Sequence, residues 1–194
     1  MSPAKTKVIL FTRCPTHKRT PVILSLFGSR LTVSEEADFL GARFSSTMTW
    51  KPQFDLMSAR AWPRINSIRK LAGLQKNLQS STLFKIYLAF VRPVYEYAAV
   101  AFISASNVHF NKIQSLQNSV VKSILQLPSY ISNKLAHNAA AIPFLADHLK
   151  AFAKKRVAIM NAASPLIKDL ILDHQNFAHI PSHKSPLDVI LSED

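Results

Sequence analysis

The chain has 194 residues, of which 48% are hydrophobic, and its formal net charge is +13. This length suits one domain, or one small domain with an appendage, and the hydrophobic content excludes a wholly disordered chain. A single cysteine excludes an internal disulfide and a cysteine-rich zinc site. No apolar run approaches the roughly 18 to 20 residues that span a bilayer, and the run at residues 8–11 is too short for a signal-peptide core. We therefore expect an intracellular protein without a transmembrane segment.

The positive charge is unevenly distributed. Residues 1–51 contain eight Lys or Arg against three acids, and residues 52–127 contain nine against two. Residues 161–194 reverse this balance, with two against five. A basic body favours a polyanionic partner, most often nucleic acid and less often an anionic membrane surface. Residues 150–156 form the most concentrated basic face, so peripheral membrane binding through them is an alternative.

Short strands are expected in the first quarter of the chain. The apolar runs in residues 5–11 and 22–27 are typical of strands, and residues 28–30 are expected to form a turn. Residues 38–44 alternate in polarity, which predicts another strand, and the hydroxyl side chains of residues 45–47 predict a turn after it. Because the connections are short, we expect antiparallel pairing.

The hydrophobic spacing becomes helical after Pro52. Gly73 is expected to end the first helix, and Pro63 predicts a kink or a helix that starts near it. The buried stripe of this helix is predicted from spacings of three and four residues: Met57, Ala61, Ile65, Ile68 and Ala72.

The nearly apolar residues 82–103 predict one central helix that continues past Pro93. Its cap is expected at Ser80, Ser81 or Thr82, and its stripe is predicted to include Leu83, Ile86, Tyr87, Phe90, Val91, Val94 and Tyr97.

Three more helical segments are expected, at residues 108–125, 133–141 and 144–162. The stripe of the first is predicted to include Val108, Ile113, Leu116, Val120, Ile124 and Leu125. The stripe of the last is predicted as Leu145, Leu149, Phe152, Arg156 and Ile159. The fold class is thus α+β, mainly α. It consists of a short antiparallel β region at 1–51, a helical bundle at 52–162, and an acidic tail with Pro and His at 163–194.

Several segments share motifs with a known family. Residues 37–51 contain Phe39-Leu40-Gly41, then a turn, then Met48-Thr49-Trp50. Four further segments follow the same family order: Lys5-Thr6 with Phe11, Arg92-Pro93 with Tyr97, Gln117-Asn118, and Ile142-Pro143-Phe144-Leu145. Together they resemble the palm end and thumb of the reverse transcriptases (RNA-directed DNA polymerases) of jockey-like non-LTR retrotransposons.

The resemblance implies a truncated polymerase that is inactive by itself. The family's two metal-binding aspartates lie upstream of the Lys-Thr strand and are therefore expected before Met1. In residues 1–54 the acids are Glu35, Glu36 and Asp38, and they form no pair that fits a two-metal site. We expect no catalytic residue, metal site or cofactor in this chain, and Mg²⁺ only in the complete parent enzyme.

The resemblance also implies residual binding of a primer–template (RNA/DNA) duplex. Residues 39–41 correspond to the primer grip, with Phe39 and Leu40 expected in the hairpin core and Gly41 permitting close backbone approach. Phosphate contacts are predicted for Lys51, Arg43, Arg64, Arg60 and Lys70, in that order, with Trp50 as a packing or stacking residue.

Two other interpretations stay open. Each predicted cation can equally belong to a solvated helix face. The chain can also be a non-catalytic helical interaction module whose apolar residues 82–103 pack against a missing partner domain. In the polymerase interpretation, that partner is the missing palm and fingers region of the parent enzyme.

Overall fold

The computed structural model describes residues 6–11, 23–74, 78–165 and 169. Its described part is mainly helical, with two short antiparallel sheets near the N-terminus, so the predicted fold class is confirmed. The chain divides into two compact units, Met1–Leu56 and Met57–Asp194. Among the described helices, none combines the length and apolar character needed to cross a bilayer.

Each sheet of the first unit is a hairpin. Strands β1 (Ser25–Leu26) and β2 (Ser29–Arg30) pair with each other, and β3 (Glu36–Phe39) pairs with β4 (Ala42–Ser45). The two strands of each pair are joined by only two residues.

Both hairpin turns place two successive residues at positive φ. Phe27 and Gly28 have φ of 50° and 77°, and Leu40 and Gly41 have 48° and 80°. Positive φ at both central residues is the type I′ arrangement, whose twist matches that of the flanking strands. The prediction of one strand over residues 38–44 was therefore wrong, because the chain reverses at Leu40 and Gly41. The turn predicted at residues 28–30 begins earlier, and Ser29 is already in β2.

The first apolar run makes a single bridge. Val8 pairs with Val33 in parallel, with Ser34 N–H donating to the Val8 carbonyl at 2.7 Å. The expected antiparallel pairing is wrong for this segment. The β1–β2 hairpin lies between the two bridged residues, and such a long connection can return the chain in the same direction.

The turn predicted from hydroxyl side chains after β4 is present. Thr47 N–H donates to Ser45 Oγ at 3.3 Å, and the two hydroxyl oxygens are 2.8 Å apart. This is the local side-chain bonding by which Ser and Thr favour turns.

Helix α1 (Lys51–Gly73) contains Pro63 in its interior and ends at the predicted glycine. Of the two alternatives expected at Pro63, a helix start near it is excluded, because the helix begins at Lys51. Pro52 lies in the first turn, where a missing N–H costs nothing. The five predicted stripe residues from Met57 to Ala72 are all buried, as expected.

The apolar residues 82–103 do not form one helix. They form α2 (Ser80–Ile86), a π-helical turn (Tyr87–Val91), α3 (Arg92–Glu96) and α4 (Ala99–Phe102). The N–H of Arg92 bonds to the Tyr87 carbonyl five residues back, just before Pro93, which has no N–H to donate. Ala98, with φ of 57°, separates α3 from α4.

Burial recurs every four residues from position 83 to position 99, at Leu83, Tyr87, Val91, Tyr95 and Ala99. Phe102 and Ile103 are buried at the end of the segment. Phe90 and Tyr97, predicted in the stripe, are instead 52% and 50% exposed. The cap prediction was also wrong, since the N-cap is Gln79 and it makes no side-chain capping bond.

The last three helices lie where they were predicted. They are α5 (Asn107–Ile124), α6 (Asn133–Ala140, capped by Ser132) and α7 (Leu145–Ala163). Helix α7 packs against α3, α4 and α5, while α5 also contacts α2 and α6. Helix α5 is thus central to the second unit.

Parts of the stripes predicted for α5 and α7 were wrong. In α5, Val108 is 74% exposed, while Phe110 and Gln117 are buried. In α7, Leu145 and Leu149 are buried as expected, but Arg156 and Ile159 are exposed. Ala153 and Val157 are buried instead. Most of the predicted tail lies outside the described residues.

Candidate nucleic-acid interface

Arg43 on β4 is bonded within its own hairpin. It lies directly opposite Asp38, with Nε 2.7 Å from Oδ1 and Nη2 3.1 Å from Oδ2. The hydrogen bond to Asp38 raises the pKa of Arg43, partial burial opposes this, and the charges of Asp38 and Glu36 add to it. A phosphate that binds Arg43 must therefore compete with a bidentate carboxylate.

Lys51 and Trp50 lie at the start of α1. Lys51 Nζ is 3.1 Å from Asp55 Oδ2, in an exposed pair of the kind that contributes little to stability and can be exchanged for another anion. Trp50 is half-buried, with its ring centroid 5.6 Å from that of Phe44. This contact gives Trp50 a packing role within the first unit.

The primer-grip-like residues lie at the tip of the β3–β4 hairpin. Phe39 is 66% exposed and Leu40 is 76% exposed, so the expectation that they form the hairpin core was wrong. The physical reason is the turn itself, which places Leu40 and Gly41 beyond the last paired residues.

Arg64 is held against the π-helical turn. Its guanidinium carbon is 4.9 Å from the Phe90 ring centroid, and Nη1 donates to the Phe90 carbonyl at 2.8 Å. Arg60 is exposed one turn earlier, about 40° away around the helix. Lys70 is about 80° from Arg60, and Arg69 is about 140° from Arg64. Helix α1 thus spreads its cations over more than one face.

A groove of about 980 Å³ lies between the ends of α1 and α5. We call it the α1–α5 groove. Helix α1 contributes Asn66, Arg69 and Lys70, and α5 contributes Lys122. Its remaining lining residues, none of them acidic, are Ala72, Gly73, Ser119, Ser123 and residues 126–129. Within the part of the chain that the structure describes, the groove therefore gathers three cations without an acidic neighbour in its lining.

The cations of this groove differ in their bonding. Lys122 Nζ donates to the Ser129 carbonyl at 3.0 Å. Arg69 and Lys70 are exposed, and within the part of the chain that the structure describes they form no side-chain hydrogen bond or ion pair. Lys70 was predicted as a phosphate contact, whereas Arg69 and Lys122 were not. Their positive charge makes all three residues candidates for phosphate binding, but no pattern in the sequence shows that the ends of α1 and α5 lie close together.

The described residues offer few candidate ligands for a metal ion. Among the described residues, no group of three or more His, Cys, Asp or Glu side chains could hold a metal ion. One mixed cluster joins α3 to α7: Glu96 Oε1 lies 3.0 Å from Arg92 Nε and 2.7 Å from His148 Nε2. Because each charge in it has an opposite or hydrogen-bonding partner, its role is to clamp the two helices.

The chain is similar to polymerases of mobile elements. It is 25% identical over 132 residues to the RNA-directed DNA polymerase from mobile element jockey of Drosophila funebris, which covers 68% of this chain and 14% of that protein. It is 24% identical over 114 residues to the probable RNA-directed DNA polymerase from transposon BS of Drosophila melanogaster, covering 59% of this chain and 13% of that protein. No family model and no solved structure matches. The similarity supports a region related to reverse transcriptases.

Proposed function

We propose that this chain acts as the palm end and thumb of a retrotransposon RNA-directed DNA polymerase, and that it binds a primer–template duplex without reading its sequence. The observation that carries the proposal is the similarity to two such polymerases over 68% and 59% of the chain. The formal charge of +13 and the three cations that line the α1–α5 groove fit a polyanionic partner.

Binding of this kind depends on phosphate neutralisation. Lys and Arg displace the counterions condensed on the duplex, and contacts to the backbone position a protein without specifying a sequence. Among the predicted contacts, Lys51 has an exposed partner and Lys70 lies in the groove, so both are accessible to a phosphate. Arg43 donates to Asp38, and Arg64 donates to the Phe90 carbonyl. Each arginine would contribute by sharing its N–H donors between that partner and a phosphate.

We propose binding rather than catalysis for these residues. Polymerisation requires carboxylates that hold two metal ions close together. In residues 1–54 the acids are Glu35, Glu36 and Asp38, and Asp38 is occupied by Arg43. In this proposal the aspartates, their Mg²⁺ and the fingers belong to the rest of the parent polymerase, which is then the protein partner of this chain.

The proposal is tested by fluorescence anisotropy with a labelled RNA/DNA hybrid duplex at several salt concentrations. We expect log K to fall linearly as log salt rises, with a slope of about −0.9 for each phosphate neutralised. An unlabelled duplex of unrelated sequence should compete equally well. Absence of binding at low salt, or binding that salt does not weaken, would contradict the proposal.

A second candidate function is that of an interaction module. Leu88, Phe90 and Tyr97 are large apolar side chains exposed on the segment predicted to pack against a missing domain. An uncovered apolar surface favours self-association in the isolated chain. Sedimentation velocity over a range of concentrations tests this function: a monomer at all concentrations, unchanged by Leu88→Ser, would argue against it.

A further inference from the structure

We infer that the α1–α5 groove is the surface that holds the phosphodiester backbone of the bound nucleic acid. The inference rests on the proposed function and assigns it to one place on the molecule. Arg69 and Lys70 are its phosphate-binding residues, and Lys122 is a positioning residue that fixes the loop after α5 through Ser129.

The charge balance of the groove favours binding of an anion there. Three cations lie together in its lining, and none of the lining residues that the structure describes is an acid. By contrast, Arg43 is paired with Asp38, Lys51 with Asp55, and Arg64 with the Phe90 carbonyl. Arg69 and Lys70 have no side-chain partner among the described residues, so they keep their full capacity to bind an external anion and are better placed than these three.

The C-terminal ends of two helices contribute to the electrostatic field in the groove. Helices α1 and α5 both end at the groove, where their last carbonyls carry partial negative charge. One of these carbonyls is already satisfied, because Gln126 Nε2 donates to Ala72 O at 3.3 Å. Lys122 likewise donates to the carbonyl of Ser129 in the loop. Neither of these donors is Arg69 or Lys70, so among the described residues these two cations keep their side-chain donors for a ligand.

The lining chemistry favours nucleic acid over a membrane surface. Amide and hydroxyl side chains flank the cations, among them Asn66 and Ser119, and can donate to phosphate oxygens. Binding at a lipid interface instead requires an apolar face that enters the acyl region. Of the lining residues that the structure describes, those with apolar side chains are Ala72, Leu127 and Pro128.

The test compares two double variants with the same loss of charge. Arg69→Gln with Lys70→Gln removes the groove cations, while Lys134→Gln with Lys155→Gln removes two exposed cations from α6 and α7. Glutamine is a good helix former, so all four changes keep the helices. Circular dichroism melts verify that both variants are folded, and Arg69→Lys with Lys70→Arg serves as the charge-conserving rescue.

Salt titrations of binding to the RNA/DNA hybrid duplex give the readout. We expect the groove variant to reduce the magnitude of the salt slope by about two, one for each lost phosphate contact, and the control variant to leave it nearly unchanged. The rescue variant should restore most of the slope.

Three outcomes would overturn the inference. Equal loss in both double variants would show that binding follows net charge alone, and the proposed function would survive. If the unmodified chain fails to bind the duplex, the proposed function and the inference both fail. If phosphatidylserine vesicles bind the unmodified chain but not the groove variant, and the duplex does not displace them, the groove is a membrane site.

Discussion

Gln114 on α5 accepts a hydrogen bond from the backbone N–H of Leu145, the first residue of α7, at 2.7 Å. Because a backbone N–H can only donate, this bond orients the amide and turns Nε2 towards Asn118 Oδ1, 2.7 Å away. Asn118 Oδ1 is also 2.9 Å from His137 Nε2, and His137 Nδ1 is 3.0 Å from the Ile142 carbonyl. Nδ1 of His137 thus faces an acceptor, while its Nε2 lies near both the Asn118 oxygen and the Gln114 amide nitrogen, 3.4 Å away.

This network explains the Gln-Asn pair noted in the sequence. Gln117 is buried, accepts from Gln114 at 2.9 Å and donates to the Pro143 carbonyl at 3.3 Å. Asn118 connects Gln114 to His137 on α6. The two residues thus join α5 to the loop and helix that follow, which is a structural role.

We predict that Gln114→Ala lowers the free energy of unfolding by about 1–3 kcal/mol, because it removes the partner of the Leu145 N–H and of Asn118. The N-cap residue Phe144 makes no side-chain capping bond, so Gln114 is a cap supplied by another helix. Asn111→Ala, on the exposed face of α5, is the control and should change stability by less than about 0.5 kcal/mol. Urea denaturation measures both, and similar losses would refute the capping role.

We predict that Ala141→Gly raises the free energy of unfolding by about 0.5–1 kcal/mol. Ala141 follows α6 with φ of 52°, in the left-handed region that costs an L-residue about 1–2 kcal/mol. Glycine relieves this cost, although its more flexible unfolded chain offsets part of the gain. Ala139→Gly, inside α6, should instead destabilise by about 0.5–1 kcal/mol. If the two changes have the same sign in thermal melts, the backbone explanation is wrong.

We predict that Glu96 contributes stability that is lost in acid. Burial acts to raise the pKa of Glu96, but hydrogen bonds from His148 and Arg92 outweigh it, so its pKa lies below the ordinary value of 4.5. A carboxyl group with a folded-state pKa below its unfolded value stabilises the fold above the unfolded pKa. That contribution disappears as pH falls through the folded pKa.

Thermal unfolding of Glu96→Gln between pH 7 and pH 3 checks this prediction. The variant should be less stable than the unmodified chain at neutral pH, and the difference should shrink below about pH 4.5. Glu35→Gln, an exposed carboxyl in the first unit, should show a much smaller difference throughout. A constant difference for Glu96→Gln over the whole range would refute the ionic contribution.

Hydrophobic periodicity predicted the helices that have one clear apolar stripe. The residues from Met57 to Ala72 alternate regularly with polar ones, so a helical period identifies the buried side of α1. The same reasoning located α7, whereas α6 was predicted from the high helix propensity of residues 133–141. Hydrophobic periodicity failed for residues 82–103, because a segment that is apolar on all sides gives no contrast that distinguishes its buried face from its exposed face. There, packing against α5 and α7 buried Tyr95 and left Phe90 exposed.

Alternating polarity has a similar ambiguity in the first unit. Residues 38–44 alternate as one strand would, but the same pattern fits two strands joined by a tight turn. The left-handed conformations of Leu40 and Gly41 show that the chain forms two strands joined by a turn. Of these two residues, only Gly41 is of a type that favours such a turn.

The sequence by itself determined that this is a basic, mainly helical protein whose charge suits a polyanion. It could not determine which cations are available to bind one. Arg43 was the second candidate and is held by Asp38, whereas Arg69 was not a candidate and lies with Lys122 in the α1–α5 groove. The reason is physical: charge belongs to the side chain and is visible in the residue type. Its availability depends on the neighbours that the tertiary structure supplies.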